Sequence, residues 1–248
     1  MKKWARIFLA LILVATLSLG GALPASASQF QDVTRSGVGE EIFDAINYVS
    51  DNGLLVGTTT TTFGPNTTLT RAMIVAILYR WSGDGGSYSN PFTDVYKSDY
   101  YYNAVGWAKQ NGIVYGTTET QFSPTKTVTT EQFFAFLYRY ALKYHSDKTD
   151  YTEASITSHP DYGYVTEYAK PALRWAKQYH ILQLTNSSYI WPQSGMARKN
   201  VALYITRYSL QVKGFDEEDR FSFANLTGDF SKKIIIDDIF YQKLMNDV

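Results

Sequence analysis

Asn103-Ala104-Val105-Gly106-Trp107-Ala108-Lys109-Gln110-Asn111-Gly112 is the most telling stretch of this 248-residue chain, because its pattern is written three times. Ala104, Trp107, Gly112, Gly116, Phe122, Pro124, Thr130 and Arg139 align without gaps with Ala45, Tyr48, Gly53, Gly57, Phe63, Pro65, Arg71 and Arg80 before them. After them come Ala172, Trp175, His180, Leu184, Ile190, Pro192, Arg198 and Arg207. Gly53 and Gly112 follow Asn52 and Asn111, a suitable place for a left-handed helix stop. His180 holds that place in the third copy, so its turn must bear strain or take another shape.

Each copy then predicts a second helix, beginning near Thr70, Thr129 and Ala197. Thr70 and Thr129 are good N-caps, and Thr129 with Gln132 makes a capping-box pattern. The apolar residues Ile74, Ile77, Leu78 and Trp81 recur as Phe133, Phe136, Leu137 and Tyr140, then as Val201, Tyr204, Ile205 and Tyr208. That i, i+3, i+4, i+7 spacing puts one buried stripe on each helix. A single unit of about 60 residues is marginal as an independent core. Three stripes in matching register predict one mostly α, pseudo-threefold module of helix-loop-helix repeats. Gly53 and Gly112 are 59 residues apart and Gly112 and His180 are 68 apart, too far for a tetratricopeptide array of ~34.

Residues 1–27 read as a secretory signal: Lys2, Lys3 and Arg6, then an apolar run, then Ala25-Ser26-Ala27 as cleavage site. Repeats are assigned to 28–86, 87–147 and 148–213, the last diverged. Residues 214–248 form a tail outside the pattern, open to other envelope proteins. Removing the signal leaves 20 basic against 23 acidic residues, no field for nucleic acid. No later apolar run suits a membrane, so none is expected to hold the chain after cleavage. The chain has no Cys, which excludes disulfides, a thiol nucleophile and thiolate-bound metal.

Phe30-Gln31-Asp32-Val33, Phe92-Thr93-Asp94-Val95, Gly112-Ile113-Val114-Tyr115-Gly116, Phe122-Ser123-Pro124 and Leu69-Thr70-Arg71-Ala72-Met73 together resemble the S-layer homology domain of bacterial envelope proteins. The resemblance covers about residues 30 to 212. It implies a secreted protein of the cell wall or cell surface, held non-covalently on secondary wall polysaccharide, often through pyruvylated amino sugars. It also implies three lobes with sugar-binding grooves between them, where the arginine of the Thr-Arg-Ala-Glu pattern and nearby polar and backbone groups face the glycan.

Arg71 and Arg198 carry that arginine, with Thr70 beside the first. A cation in a first helical turn is opposed by the macrodipole, by up to ~1 kcal/mol, and a bound carboxylate would reverse the sign. In the second copy Thr130 replaces the arginine and Glu131 follows, so that groove is expected to be weak. Asp32, Asp94 and Asp161 recur at the repeat starts as ligand contacts or turn residues. Gly57 and Gly116 would let backbone approach the glycan, and Trp107 and Trp175 could stack on it or pack the core. Arg80, Arg139 and Arg207, two turns inside their helices, predict structural ion pairs. Thr58 to Thr62 predicts an extended, solvated segment.

His145, His159 and His180 fall in no metal spacing, and no Gly-x-Ser-x-Gly elbow occurs. No catalytic residue, metal or cofactor is therefore expected, and the chain reads as a binder. The alternatives are an envelope lattice or protein-interaction subunit with degenerate glycan sites, and a diverged wall hydrolase.

Overall fold

The computed structural model describes residues 28–152, 156–184 and 188–213; the expected signal at 1–27 and tail at 214–248 lie outside them. Seven α-helices form among the described residues. The first copy holds α1 (Arg35–Val38), α2 (Glu40–Asp51) and α3 (Arg71–Ser82). The second holds α4 (Tyr102–Gln110) and α5 (Thr130–Tyr144), and the third α6 (Lys170–Gln178) and α7 (Arg198–Tyr208). The mostly α reading therefore stands.

The three copies meet in a closed ring of backbone hydrogen bonds. Leu69 N–H donates to Met196 O (3.0 Å), Met196 N–H to Val128 O (2.9 Å), and Val128 N–H to Leu69 O (3.0 Å). Three isolated β-bridges, Thr68 with Ala197, Thr70 with Thr127 and Thr129 with Gly195, flank it. No named strand forms among the described residues, because each segment pairs for only a residue or two before its helix begins.

Helix packing follows the same rotation. α3 packs on α4, α5 on α6, and α7 on α2, so the second helix of each copy leans on the first helix of the next. Packing units thus straddle the sequence repeats. The stripe residues Ile74, Ile77, Leu78, Phe133, Phe136, Leu137, Val201 and Ile205 are buried. Trp81, Tyr140 and Tyr208, equivalent in the three copies, form a triangle of rings with centroids 5.1 to 6.1 Å apart. Such tilted and offset aromatic contacts add to the area that the rings bury.

The left-handed turns arise where the glycines predict them, at Gly53 (φ 65°) and Gly112 (φ 69°). His180 adopts the same conformation, φ 53°, and so bears the strain rather than changing the turn. Thr70 and Thr129 accept from Met73 N–H and Gln132 N–H, while Ala197 makes no side-chain cap. Gln132 does not show the reciprocal half of a capping box; its side chain accepts from Arg71 instead. Thr58 to Thr62 is a closed turn and not an extended segment, since Thr58 N–H donates to Thr62 O (2.8 Å).

Burial pushes the hydroxyls of Tyr140 and Tyr208 well above the ordinary tyrosine value. In the unfolded chain they ionise near pH 10, so above that pH the folded state holds more protons and stability falls as pH rises. Each of the two contributes a loss of about 1.4 kcal/mol per pH unit. Stability independent of these tyrosines below pH 10 and cooperative unfolding near pH 11 to 12 are expected, with tyrosinate absorbance at 295 nm appearing in step with loss of near-UV dichroism. Ionisation of the whole tyrosine set near pH 10 with the fold intact would show that the rings are not buried.

Candidate inter-repeat grooves

Each second helix begins against the loop of the next copy, and its first donors are already used there. Arg71 N–H and Ala72 N–H donate to Lys126 O and Pro124 O. Thr130 N–H and Glu131 N–H donate to Ser194 O and Pro192 O, and Arg198 N–H and Lys199 N–H to Thr67 O and Pro65 O. The first two N–H groups of each of these helices, where the helix dipole would favour a glycan carboxylate, are therefore occupied by protein.

The arginines do similar work. Arg71, 3% exposed, donates through Nε to Phe122 O (2.9 Å), through one Nη to Tyr115 O (2.9 Å) and through the other to Gln132. Its guanidinium lies over Phe122 and Phe136, 4.7 and 5.1 Å from the ring centroids. Burial lowers its pKa to about 10, with Tyr168 and Asp94 opposing that shift and Arg139 adding to it. Arg198 repeats the pattern on Phe63 O (2.7 Å) and Val56 O. Both arginines fasten one copy to the next, which explains why a cation stands in a first helical turn. Thr130 keeps a remnant of this link, Oγ1 donating to Ser194 O at 3.4 Å.

The remaining expected residues sort by burial and partner. Asp32 accepts from Phe63 N–H and Gly64 N–H, Asp94 from Phe122 N–H and Ser123 N–H, and Asp161 from Ile190 N–H and Trp191 N–H, all at 2.7 to 2.9 Å. Each carboxylate locks its own copy's loop with both oxygens. Trp107 and Trp175 are fully buried, so the expected stacking on sugar gives way to core packing. At Gly57 and Gly116 an added Cβ would meet Thr59 O at 2.4 Å and Thr118 O at 2.2 Å. Their close approach is to the chain's own turn and not to a ligand. Thr70 serves as N-cap. Glu131 is 3% exposed and accepts from Thr166 N–H, Thr166 Oγ1 and Tyr168 Oη, so it satisfies donors at the entry to the third copy.

Arg80, Arg139 and Arg207 divide, against the uniform ion pairs expected. Arg207 makes a two-pronged pair with Glu41, 2.7 and 2.8 Å, and donates to Ile181 O. Four residues before the aligned Ala45, Ala104 and Ala172 stand Glu41, Tyr100 and Tyr168. Tyr100 feels the charge of Arg80, and Tyr168 that of Arg139. The rotation of the module thus gives every such arginine a partner from the next copy, but only the third partner is a carboxylate. Arg80 turns to Gly53 O and Ala76 O.

Arg139 lies 4.7 Å over the Tyr115 ring and meets no carboxylate among the described residues; burial lowers its pKa. Lys109 Nζ lies 5.2 Å from the same ring. Tyr115, 55% exposed, is held between two cations while its carbonyl binds a third, Arg71. Tyr168, 44% exposed, completes the cluster. The sequence reading did not single out Lys109 or Tyr115 and took Arg139 for a structural ion pair; the signal for this cluster was Tyr168 standing where the first copy has Glu41. The third copy places Lys177 and Gln183 at the positions of Lys109 and Tyr115, bordering a hollow of about 810 Å³. Lys177 there is drawn to His159 Nε2 at 2.7 Å.

Comparison with known proteins gives this architecture its family: residues 35–72 and 91–134 match the S-layer homology domain. Those two segments are S-layer homology domain. The third copy, outside those matches, repeats their ring bond, aspartate lock and arginine clamp. The chain is 26% identical over 84% of its length to an endoglucanase of Bacillus sp. (strain KSM-635), and 28% identical over 73% to the surface-layer 125 kDa protein of Lysinibacillus sphaericus. An amylopullulanase of Thermoanaerobacterium thermosulfurigenes is 27% identical over 65% of the chain. The chain spans only 22%, 14% and 9% of those proteins' lengths. The matched segments and the surface-layer relative place this chain at the bacterial cell surface. Among the described residues no helix is long and apolar enough to cross a membrane, and no cluster of His, Asp and Glu could hold a metal.

Proposed function

We propose that the module anchors the chain by binding acidic, pyruvylated secondary wall polysaccharide, chiefly in the groove where α3 meets the loops of the second copy. The observation that carries this is the cluster of Arg139 and Lys109 around the half-exposed Tyr115, beside Arg71 and with no carboxylate of the described residues on Arg139. A glycan carboxylate entering there exchanges water for two charge-assisted donors, and the Tyr115 and Tyr168 rings offer flat surface to the sugar. Arg71 acts from beneath, holding Tyr115 and adding positive potential. Arg198 does the same in a second groove, where Val56 replaces Tyr115 and Arg80 replaces Arg139. In the third, Glu41 neutralises Arg207 and Thr130 stands for the clamp arginine, so that groove is the weakest. Asp32, Asp94, Asp161, Gly57 and Gly116 serve the sites by fixing their loops. The role is binding rather than catalysis.

The test is sedimentation of the full chain with purified wall sacculi, native or chemically stripped of their secondary polysaccharide. Binding to native sacculi only, weakening as salt rises, is expected from a cation–carboxylate contact. Equal binding to stripped sacculi would end the glycan reading, and binding indifferent to salt would end the charge mechanism.

A further inference from the structure

The Phe-x-Pro loop requires a left-handed residue at its centre in all three copies, because the preceding aspartate lock fixes two successive N–H groups. Gly64 (φ 71°) and Ser123 (φ 58°) fill it in the first two copies, and Trp191 (φ 54°) in the third. A bulky side chain is disfavoured in that conformation, and such strain persists only where the surroundings impose it. Burial does not compensate here, for Trp191 is 61% exposed. Its ring lies against that of Tyr189, itself 49% exposed, with centroids 5.1 Å apart and planes 30° apart. Two residues on, Gln193 Nε2 donates to the carbonyl of the exposed Tyr164. A strained, solvent-facing aromatic pair edged by an amide is poorly explained by folding.

Its position and charge indicate what it would hold. Trp191 adjoins Pro192, whose carbonyl receives Glu131 N–H, so the pair borders the inter-repeat seam that carries the clamp arginine elsewhere. At this seam the helix starts with Thr130 and Glu131 in place of the clamp arginine, Arg207 is paired with Glu41, and Lys177 is engaged by His159. We infer that Tyr189 and Trp191 form a stacking platform for an uncharged pyranose of the wall polysaccharide, which rests on the anchoring reading above. Flat rings with polar rims suit the apolar face of a sugar. The third copy thereby contacts neutral residues of the same polymer whose acidic groups enter the basic groove.

The full chain and its Trp191→Gly, Tyr189→Ala and Arg139→Gln variants would be titrated with purified wall polysaccharide, native or stripped of its acidic substituents to the neutral backbone. Trp191→Gly is expected to bind the neutral backbone about tenfold more weakly, with Tm unchanged or raised because glycine accepts the left-handed turn. Tyr189→Ala should weaken it in the same direction, and Arg139→Gln should weaken only the native polymer. Undiminished neutral binding by Trp191→Gly overturns the platform and leaves the rings to a protein contact. Binding of the native but not the neutral polymer by the unaltered chain overturns it while the anchoring reading survives. Binding of neither overturns both.

Discussion

Arg71→Ala is expected to destabilise the module by about 3–5 kcal/mol. The substitution strips partners from two carbonyls: the buried Phe122 O, which costs about 1–3 kcal/mol to leave unpaired, and the part-buried Tyr115 O, which costs less. It also removes the guanidinium from between the Phe122 and Phe136 rings, leaving a void on the side facing the second copy. Relief from holding a buried cation offsets part of this loss, which keeps the figure below the sum of its parts. Arg71→Lys should lose nearly as much, because an ammonium cannot reach both carbonyls with the fork that a guanidinium presents. Urea titration measures the difference, and Tm should fall by about 2–4 °C for each kcal/mol. A loss under 1 kcal/mol for Arg71→Ala would mean that the guanidinium is a solvated ligand group and not a clamp.

Arg139→Gln and Arg207→Gln should separate binding from stability at equivalent positions. Arg207 is bonded to both Glu41 oxygens and to Ile181 O, so its loss is expected to cost about 2 kcal/mol of stability and leave sacculus binding unchanged. Among the described residues Arg139 has no hydrogen-bonded carboxylate; it has the Tyr115 ring beneath it, a contact of about 0.5–1 kcal/mol, and Tyr168 nearby. Its removal should hardly move Tm, yet weaken binding to native sacculi tenfold or more, the loss of one charge-assisted hydrogen bond. Reversed effects would transfer the binding role to the third groove, and equal binding by both variants would remove the cations from the anchoring mechanism.

What could be read beforehand was whatever lies within one copy. The stripe from Ile74 to Trp81 predicts a helix and its buried face, because spacing along a helix fixes direction without reference to any other segment. That the turn at His180 would bear strain or take another shape was legible for the same reason, since alignment with Gly53 and Gly112 transfers the backbone requirement. The partners of Arg71 were not, because they belong to the next copy: alignment says which residues are equivalent and not which face one another. That is also why Arg139 read as a structural ion pair. Its partner is Tyr168, and only the rotation joining Arg207 to Glu41 reveals the correspondence. Gly57 and Gly116 misled differently, since a glycine signals a close approach without saying to what.

The ring through Leu69, Val128 and Met196 has no open end, and α2 finds its chief packing partner in α7, the last of the described α-helices. A polypeptide made and delivered from its N-terminus therefore holds two copies that cannot complete each other while the last is still being synthesised. Closure waits for α7. Until then neither the ring nor the apolar face of α2 is closed, so the module locks in a single late step.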